Sequence, residues 1–499
     1  MKKLLSAFLT IALSVMLFVP TFAYAAEDNV LRIYNWEDYI AADDETGENL
    51  ADEFQTWYNE TYNANITVEY STFGTNEIMY NELKIAPGSY DLVCPSDYMI
   101  QKMINENMVE EFSAEFLDAS NETSYYSKYV SSYIKNLFGK YEVNGGKSWN
   151  NYAAAYMWGT MGYVFNPANV SSSDMKSWGA IWNIMYDNQS TLKDSVRDTF
   201  FIGLAFVYRD ELNTLAADYQ NAVLQYNNGI IDEAQFNAKA KQYNDAISVI
   251  LNRTDDETLA KVEAALNAAK QNIFGFEVDS GKNDMITGKI NINLAWSGDA
   301  VFAMDQADEN GVELYYTVPD EGSNIWFDGW VMPKGANTKL AEAFINYISM
   351  PEKACENMDY IGYTSAIAGD AVFDRMVEYY ELSTEEGEGL TAVDLGYFFT
   401  DLTEGRSAVV YTDTVGRQFS AQYPDKDTVN RCAIMSYFPD DVNEKVNLMW
   451  ENVKGTQFPV WVIFVIIGAI AIGVAVYFIV KSNKGRRRPK KGYKVISKG

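Results

Sequence analysis

The chain has 499 residues, with 69 acidic against 39 basic side chains, a formal net charge of −30 and no histidine. Without histidine there is no Ser-His-Asp or Cys-His relay and no His-ligated zinc or haem. An isoelectric point near 4.4 has the wrong sign for nucleic acid, whose phosphates need a basic surface.

A basic start at Lys2 and Lys3 leads into an apolar run from Leu4 to Phe18 and then Ala23-Tyr24-Ala25. That pattern predicts a signal peptide over residues 1–25 and an exported chain. Strand-like and amphipathic segments then alternate. Val30–Tyr34 reads as a strand, Leu50–Tyr62 as a helix, Asn65–Tyr70 as a strand, Glu77–Leu83 as a helix and Tyr90–Cys94 as a strand. Such alternation predicts parallel α/β architecture, with ligand-contacting residues just beyond the carboxyl ends of the strands.

The segment 205–272 is different. It predicts three helices, Asp210–Tyr226, Asp232–Leu251 and Asp255–Lys270, with Asn227-Asn228-Gly229 breaking the first from the second. Glu381, Glu385, Glu386 and Glu388, interleaved with glycines, predict an exposed acidic loop. The three cysteines, Cys94, Cys355 and Cys432, allow at most one bridge, so no disulfide framework holds the fold.

Near the end, Val460 to Val480 is an uncharged apolar run, bounded by Pro459 and Trp461 outside and Tyr477 inside. It is about the length of a bilayer core and predicts a transmembrane helix over 459–480. The tail 481–499 is rich in Lys and Arg and lacks Asp and Glu, which places it in the cytosol. The preceding ectodomain is therefore more acidic than the whole-chain average. That is the right sign to concentrate a cation.

Four post-strand motifs share a pattern. Asn35-Trp36-Glu37-Asp38-Tyr39, Pro95-Ser96-Asp97-Tyr98, Trp296-Ser297-Gly298-Asp299 and Trp326-Phe327-Asp328-Gly329 each set Trp or Tyr within three residues of a carboxylate. Any one of them alone reads as a core aromatic beside a helix-capping Asp. Together they suit an alkylammonium ligand, since aromatic faces attract a cation by about 0.5–2 kcal/mol each and a carboxylate takes its hydrogens.

These motifs, with Tyr90–Tyr98, Tyr156-Met157-Trp158-Gly159-Thr160 and Tyr360-Ile361-Gly362-Tyr363, resemble the spermidine/putrescine-binding proteins of polyamine ABC transporters. The resemblance covers residues 29–204, 273–366 and 420–455. It implies a two-lobed α/β solute-binding fold, here with a single C-terminal transmembrane helix. One lobe would comprise 26–155 and 328–422. The other would comprise 156–327, with the 205–272 helices as an insertion, and 423–455. It implies an aromatic box of Trp36, Tyr39, Tyr98, Trp296, Trp326 and Tyr363, a polar contact at Ser96 and a central carboxylate at Asp328. Where the family has an Asp-x-x-Glu pair this chain has Ser195 and Asp198, and Glu37 stands where the family has Thr or Ser, next to Asp38. Met435 stands where a glutamine contact is expected.

The implied partners are a polyamine, a membrane permease and its cytosolic ATPase, with no cofactor and no metal. The chain carries no Gly-x-x-x-x-Gly-Lys-Ser/Thr phosphate loop of its own. The competing readings are a cation-sensing ectodomain and a carbohydrate-active enzyme using paired carboxylates.

Overall fold

The computed structural model describes residues 29–455 apart from 44, 144 and 401. The signal peptide at 1–25, the apolar span at 459–480 and the basic tail at 481–499 lie outside the described residues. Among the described residues no helix is long and apolar enough to cross a membrane.

Eleven strands share one sheet. Its main path comprises β1 (Val30–Trp36), β2 (Thr67–Phe73), β3 (Leu92–Val93), β4 (Ala153–Phe165), β5 (Ser190–Lys193), β6 (Gly275–Glu277), β7 (Ile292–Trp296) and β8 (Ser323–Val331). The order is β2-β1-β3-β8-β4-β7-β5-β6. β1 pairs in parallel with β2 and β3, and β5 in parallel with β6 and β7. The long strands β4 and β8 run antiparallel to each other between these two parallel groups. Both are buried along their whole length, which is why they read as near-continuous apolar runs.

The molecule has two lobes joined by these crossing strands. One core is built around Leu31, Phe54, Trp158, Phe327 and Phe344. The other is built around Trp178, Phe200, Val262, Leu294 and Val453. Trp158 sits on β4 where the chain leaves the first core, opposite Phe327 on β8 and stacked on Phe398 at 5.3 Å.

The β4–β8 register shifts between Asp328 and Gly329, so Asp328 faces Met157 while Gly329 faces Ala155. A bulge of this kind bends the strand and re-aims a side chain. Here the re-aimed residue is Asp328. The chain after β3 packs beside it, with the Gly329 amide donating to the Pro95 carbonyl at 3.0 Å and Ser96 bridging Asp328.

Helix ends follow their capping residues. The first long helix, Leu50–Tyr62, starts at Asn49, which forms a capping box with Asp52, and stops at a left-handed Asn63. Its buried face is Leu50, Ala51, Phe54 and Tyr58. Asp232 and Asp255 cap Glu233–Ile250 and Asp256–Lys270, and with Arg209–Asn227 these are the three helices expected in 205–272. The expected third strand is shorter, pairing only over Leu92–Val93, because Pro95 and the helix Asp97–Asn105 follow at once. All three cysteines are free and buried, so Cys355 does not pair with Cys432.

Because Trp158 is fully buried on a crossing strand, Trp158→Ala should cost about 3–5 kcal/mol in urea unfolding. A loss below about 1 kcal/mol would show that the crossing strands are not held by this packing.

Candidate functional site

β1 ends at Trp36, and the turn after it carries Glu37 and Asp38 and delivers Tyr39 inward. Asp38 adopts the left-handed conformation (φ 50°) that the reversal requires. Asn35 Nδ2 donates to the Tyr39 carbonyl at 3.1 Å and the Tyr156 hydroxyl donates to it at 2.8 Å, which fixes the turn. The Tyr39 hydroxyl then donates to Asp328 Oδ2 at 2.8 Å. Its ring meets Tyr363 edge-on at 5.4 Å, and Tyr363 meets Trp326 at 5.4 Å. Tyr39, Tyr363 and Trp326 thus form a continuous aromatic wall beside the Asp328 carboxylate.

Ser96 and Tyr98 follow β3. Asn76, buried at the start of the helix Asn76–Ile85, donates from Nδ2 to Ser96 Oγ at 3.1 Å and to the Tyr98 hydroxyl at 3.0 Å. Its Oδ1 accepts from the Ser96 amide. One side chain therefore sets both. Trp36 packs on Phe73 at 4.6 Å, with its buried Nε1 unpaired among the described residues. Glu37 and Asp38 are exposed on the turn.

The opposite wall comes from the second lobe. Ser195 caps the helix Val196–Val207, its hydroxyl accepting from the Asp198 amide at 3.4 Å. Burial raises the Asp198 carboxyl above the usual range, against hydrogen bonds from Ser195 and Trp296. Trp296 ends β7, and Lys193 ends β5 with its ammonium 4.4 Å from the Trp296 ring centre. Lys193 is fully buried, and it lies 3.3 Å from both Glu277 and Asp299. Asp299 also receives Lys282 at 3.3 Å and the Tyr363 hydroxyl at 3.1 Å. Against the cost of burial, the two lysines hold Asp299 below the usual carboxylate range.

The lobes touch directly. The Arg197 guanidinium lies 4.5 Å from the Tyr98 ring centre and 3.9 Å from that of Phe438, and it donates to the Ser436 carbonyl at 2.6 Å. Gly298 sits under Tyr363, where a Cβ would come within 2.3 Å of the ring. That glycine is what lets Tyr363 lie flat against the helix Ser297–Glu309.

Of the expected site residues, the structure brings Tyr39, Ser96, Trp326, Asp328 and Tyr363 together around one carboxylate, with Tyr98 joined to Ser96 through Asn76. Asp198, Ser195 and Trp296 are joined by hydrogen bonds on the facing lobe. Asn76, Lys193 and Arg197 were not anticipated, whereas Asp299 stood in the Trp296-Ser297-Gly298-Asp299 motif without being assigned to the site. Asn76 follows β2 and was open to the same post-strand reasoning; Lys193 and Arg197 declare themselves only through tertiary contact.

Residues 49–371 match the family of bacterial extracellular solute-binding proteins. The chain belongs to that family, and is therefore a solute-binding protein and not an enzyme. It is 26% identical over 343 residues to the spermidine/putrescine-binding periplasmic protein of Salmonella typhimurium, covering 68% of this chain and 78% of that one. It is 26% identical over 373 residues to the putrescine-binding periplasmic protein PotF of Escherichia coli, covering 73% and 84%. The structure is similar to the spermidine/putrescine ABC transporter substrate-binding protein PotD of Streptococcus pneumoniae (TM-score 0.54, 24% identity, 85% of this chain and 98% of that one). It is likewise similar to the Tp0655 lipoprotein of Treponema pallidum (TM-score 0.54, 18% identity, 85% and 99%). Both structural likenesses establish the fold.

Burial pushes Asp328 up to about 6, against hydrogen bonds from Ser96 and Tyr39. Burial likewise pushes Asp97 up to about 8, although the Tyr98 and Phe327 amides donate to its carboxylate. Both groups hold protons more tightly folded than unfolded, where the value is 3.8. Their contribution to stability is therefore present at acid pH and lost as pH rises through about 6 and then about 8. The unliganded melting temperature should decline from about pH 4 to about pH 8. The slope should flatten in the double variant Asp97→Asn, Asp328→Asn. Equal slopes in the two proteins would contradict the burial of these carboxyls.

Proposed function

We propose that this protein is the membrane-anchored substrate-binding subunit of an ABC importer and captures a polyamine, putrescine or spermidine, between its lobes. The observation that carries this reading is the buried Asp328 carboxylate, flanked by the Tyr39–Tyr363–Trp326 wall. One ligand ammonium donates to Asp328 and displaces the Tyr39 hydroxyl or shares the carboxylate with it. The methylenes lie on the aromatic faces of Tyr39, Tyr98, Trp296, Trp326 and Tyr363, with Trp36 closing the first-lobe side. Asp198 on the facing lobe receives the far ammonium, with Ser195 beside it; Glu37 and Asp38 at the rim raise the local cation concentration. An ammonium so placed loses its water but gains a carboxylate partner and aromatic faces, which offset the desolvation.

Because groups from both lobes bind the same ligand, the closed form has the higher affinity, and ligand binding favours it. The two lobes divide as 26–155 with 328–422, and 156–327 with 423–455. The closed, loaded protein docks on a permease driven by a cytosolic ATPase. The apolar span at 459–480 and the basic tail at 481–499 support anchoring of an extracellular or periplasmic domain to the membrane. The names of the relatives support the ligand class and the transporter partners.

Calorimetry of the full chain in detergent should show tight binding of putrescine or spermidine and none of sugars or neutral amino acids. Asp328→Lys should abolish that tight binding while leaving the circular dichroism spectrum unchanged. Unchanged affinity in this variant would refute the assignment of the site.

A further inference from the structure

A separate cavity lies outside the interlobe cleft. It occupies about 230 Å³ between the helices Ser297–Glu309, Pro351–Ile361 and Asp370–Tyr379. Its wall includes Phe302, Asp305, Asp359, Arg375, Tyr379 and Tyr380. The two carboxylates are in different states. Arg375 holds Asp359 with two hydrogen bonds to Oδ2, at 3.0 and 2.7 Å, and lies over the Tyr379 ring at 4.9 Å. Asp305 receives only an amide hydrogen from Gln418, at 2.9 Å, and makes no ion pair among the described residues. Burial raises its carboxyl, and the like charges of Asp308 and Glu309 add to this, against the Gln418 hydrogen bond and the Arg417 guanidinium.

A separate observation points into the same space. The Tyr380 hydroxyl is buried with no hydrogen-bond partner among the described residues, although a phenol out of water normally finds one. Asp305 and Asp359 both act electrostatically on it. At the mouth, Phe302 and Tyr379 remain 46% and 43% exposed, unusually open for large aromatic side chains. No group of three or more acidic or cysteine side chains among the described residues is placed to hold a metal ion. A carboxylate without an ion pair among the described residues, an orphan hydroxyl and two partly exposed aromatic rings, over which Lys282 and Arg375 already lie on one side, suit an organic ammonium better than a hard cation.

We infer that this cavity is a second binding site for a short alkylammonium compound. Its ammonium group donates to Asp305 and to the Tyr380 hydroxyl, and its carbon chain lies against Phe302 and Tyr379. The helix Pro351–Ile361 ends at Gly362, whose carbonyl accepts from Gln422 in the cavity wall at 2.8 Å, and Tyr363 of the interlobe cleft is the next residue. Occupancy of the cavity is therefore one residue away from the aromatic wall of the cleft.

The test uses the full chain in detergent and putrescine as the probe, by calorimetry, in the wild type and in Asp328→Lys. The inference expects a weaker binding event that survives Asp328→Lys. Adding Asp305→Asn should weaken that event on the order of tenfold to a hundredfold, the worth of a hydrogen bond to a charged group. Phe302→Ala, at an exposed position, should weaken it in the same direction and stands in if Asp305→Asn does not fold. Loss of all putrescine binding in Asp328→Lys would overturn the second site and leave the cleft reading intact. A surviving event indifferent to both cavity variants would also overturn it. Binding that is insensitive to Asp328→Lys but removed by the cavity variants would instead refute the cleft and support this site.

Discussion

The architecture depends on one buried carboxylate set at a break in a strand. β8 and β4 cross between the lobes as an antiparallel pair, and their register slips beside Asp328. Without that slip, Asp328 would follow the alternation of a strand buried on both faces, where an unpaired carboxylate is costly. With it, the carboxylate reaches the Tyr39 hydroxyl and Ser96. A bulge is a local cost in sheet pairing, and here it coincides with the proposed ligand contact. The strand joining the lobes also carries this carboxylate, so the crossing and the proposed site share the same few residues.

Around that carboxylate the electrostatics is sorted into filled and unfilled positions. Asp299 is compensated by Lys193 and Lys282, and Asp97 is turned to backbone amides. Lys193 lies near the Trp296 ring, and Arg197 near the Tyr98 ring. Two aromatic rings of the proposed box are thus held from behind or beside by the protein's own cations. Such contacts preorganise the rings, which lowers the entropy a ligand must supply. Asp328 and Asp198 remain without so close a cation, and these are the positions where the proposed ammonium groups fit.

Much of this was legible in the amino-acid sequence because α/β folds put function at predictable places. Trp36, Ser96 and Trp296 could be read from the ends of strands, and the helices of 205–272 from the Asn-Asn-Gly break between the first two. Ser195 was read only against the carboxylate the resemblance implies, and its place as the cap of the helix Val196–Val207 came from the structure. The β8 bulge was not legible, since it is a property of two strands together. Neither was the pairing of Lys193 with Glu277 and Asp299, residues far apart in the chain whose proximity depends on the parallel register of β5, β6 and β7. That Glu37 and Asp38 stay in solvent while Tyr39 turns inward was not legible either, since it follows from the left-handed conformation at Asp38.

Asp328 is the meeting point of the fold and the proposed ligand, and a crystal structure of the chain grown with putrescine tests this most directly. One ligand nitrogen should lie about 2.7–3.2 Å from an Asp328 carboxylate oxygen, with the carbon chain between Trp326, Tyr363 and Tyr39. Putrescine bound elsewhere, with Asp328 still closed on the Tyr39 hydroxyl and no ligand atom beside it, would contradict it.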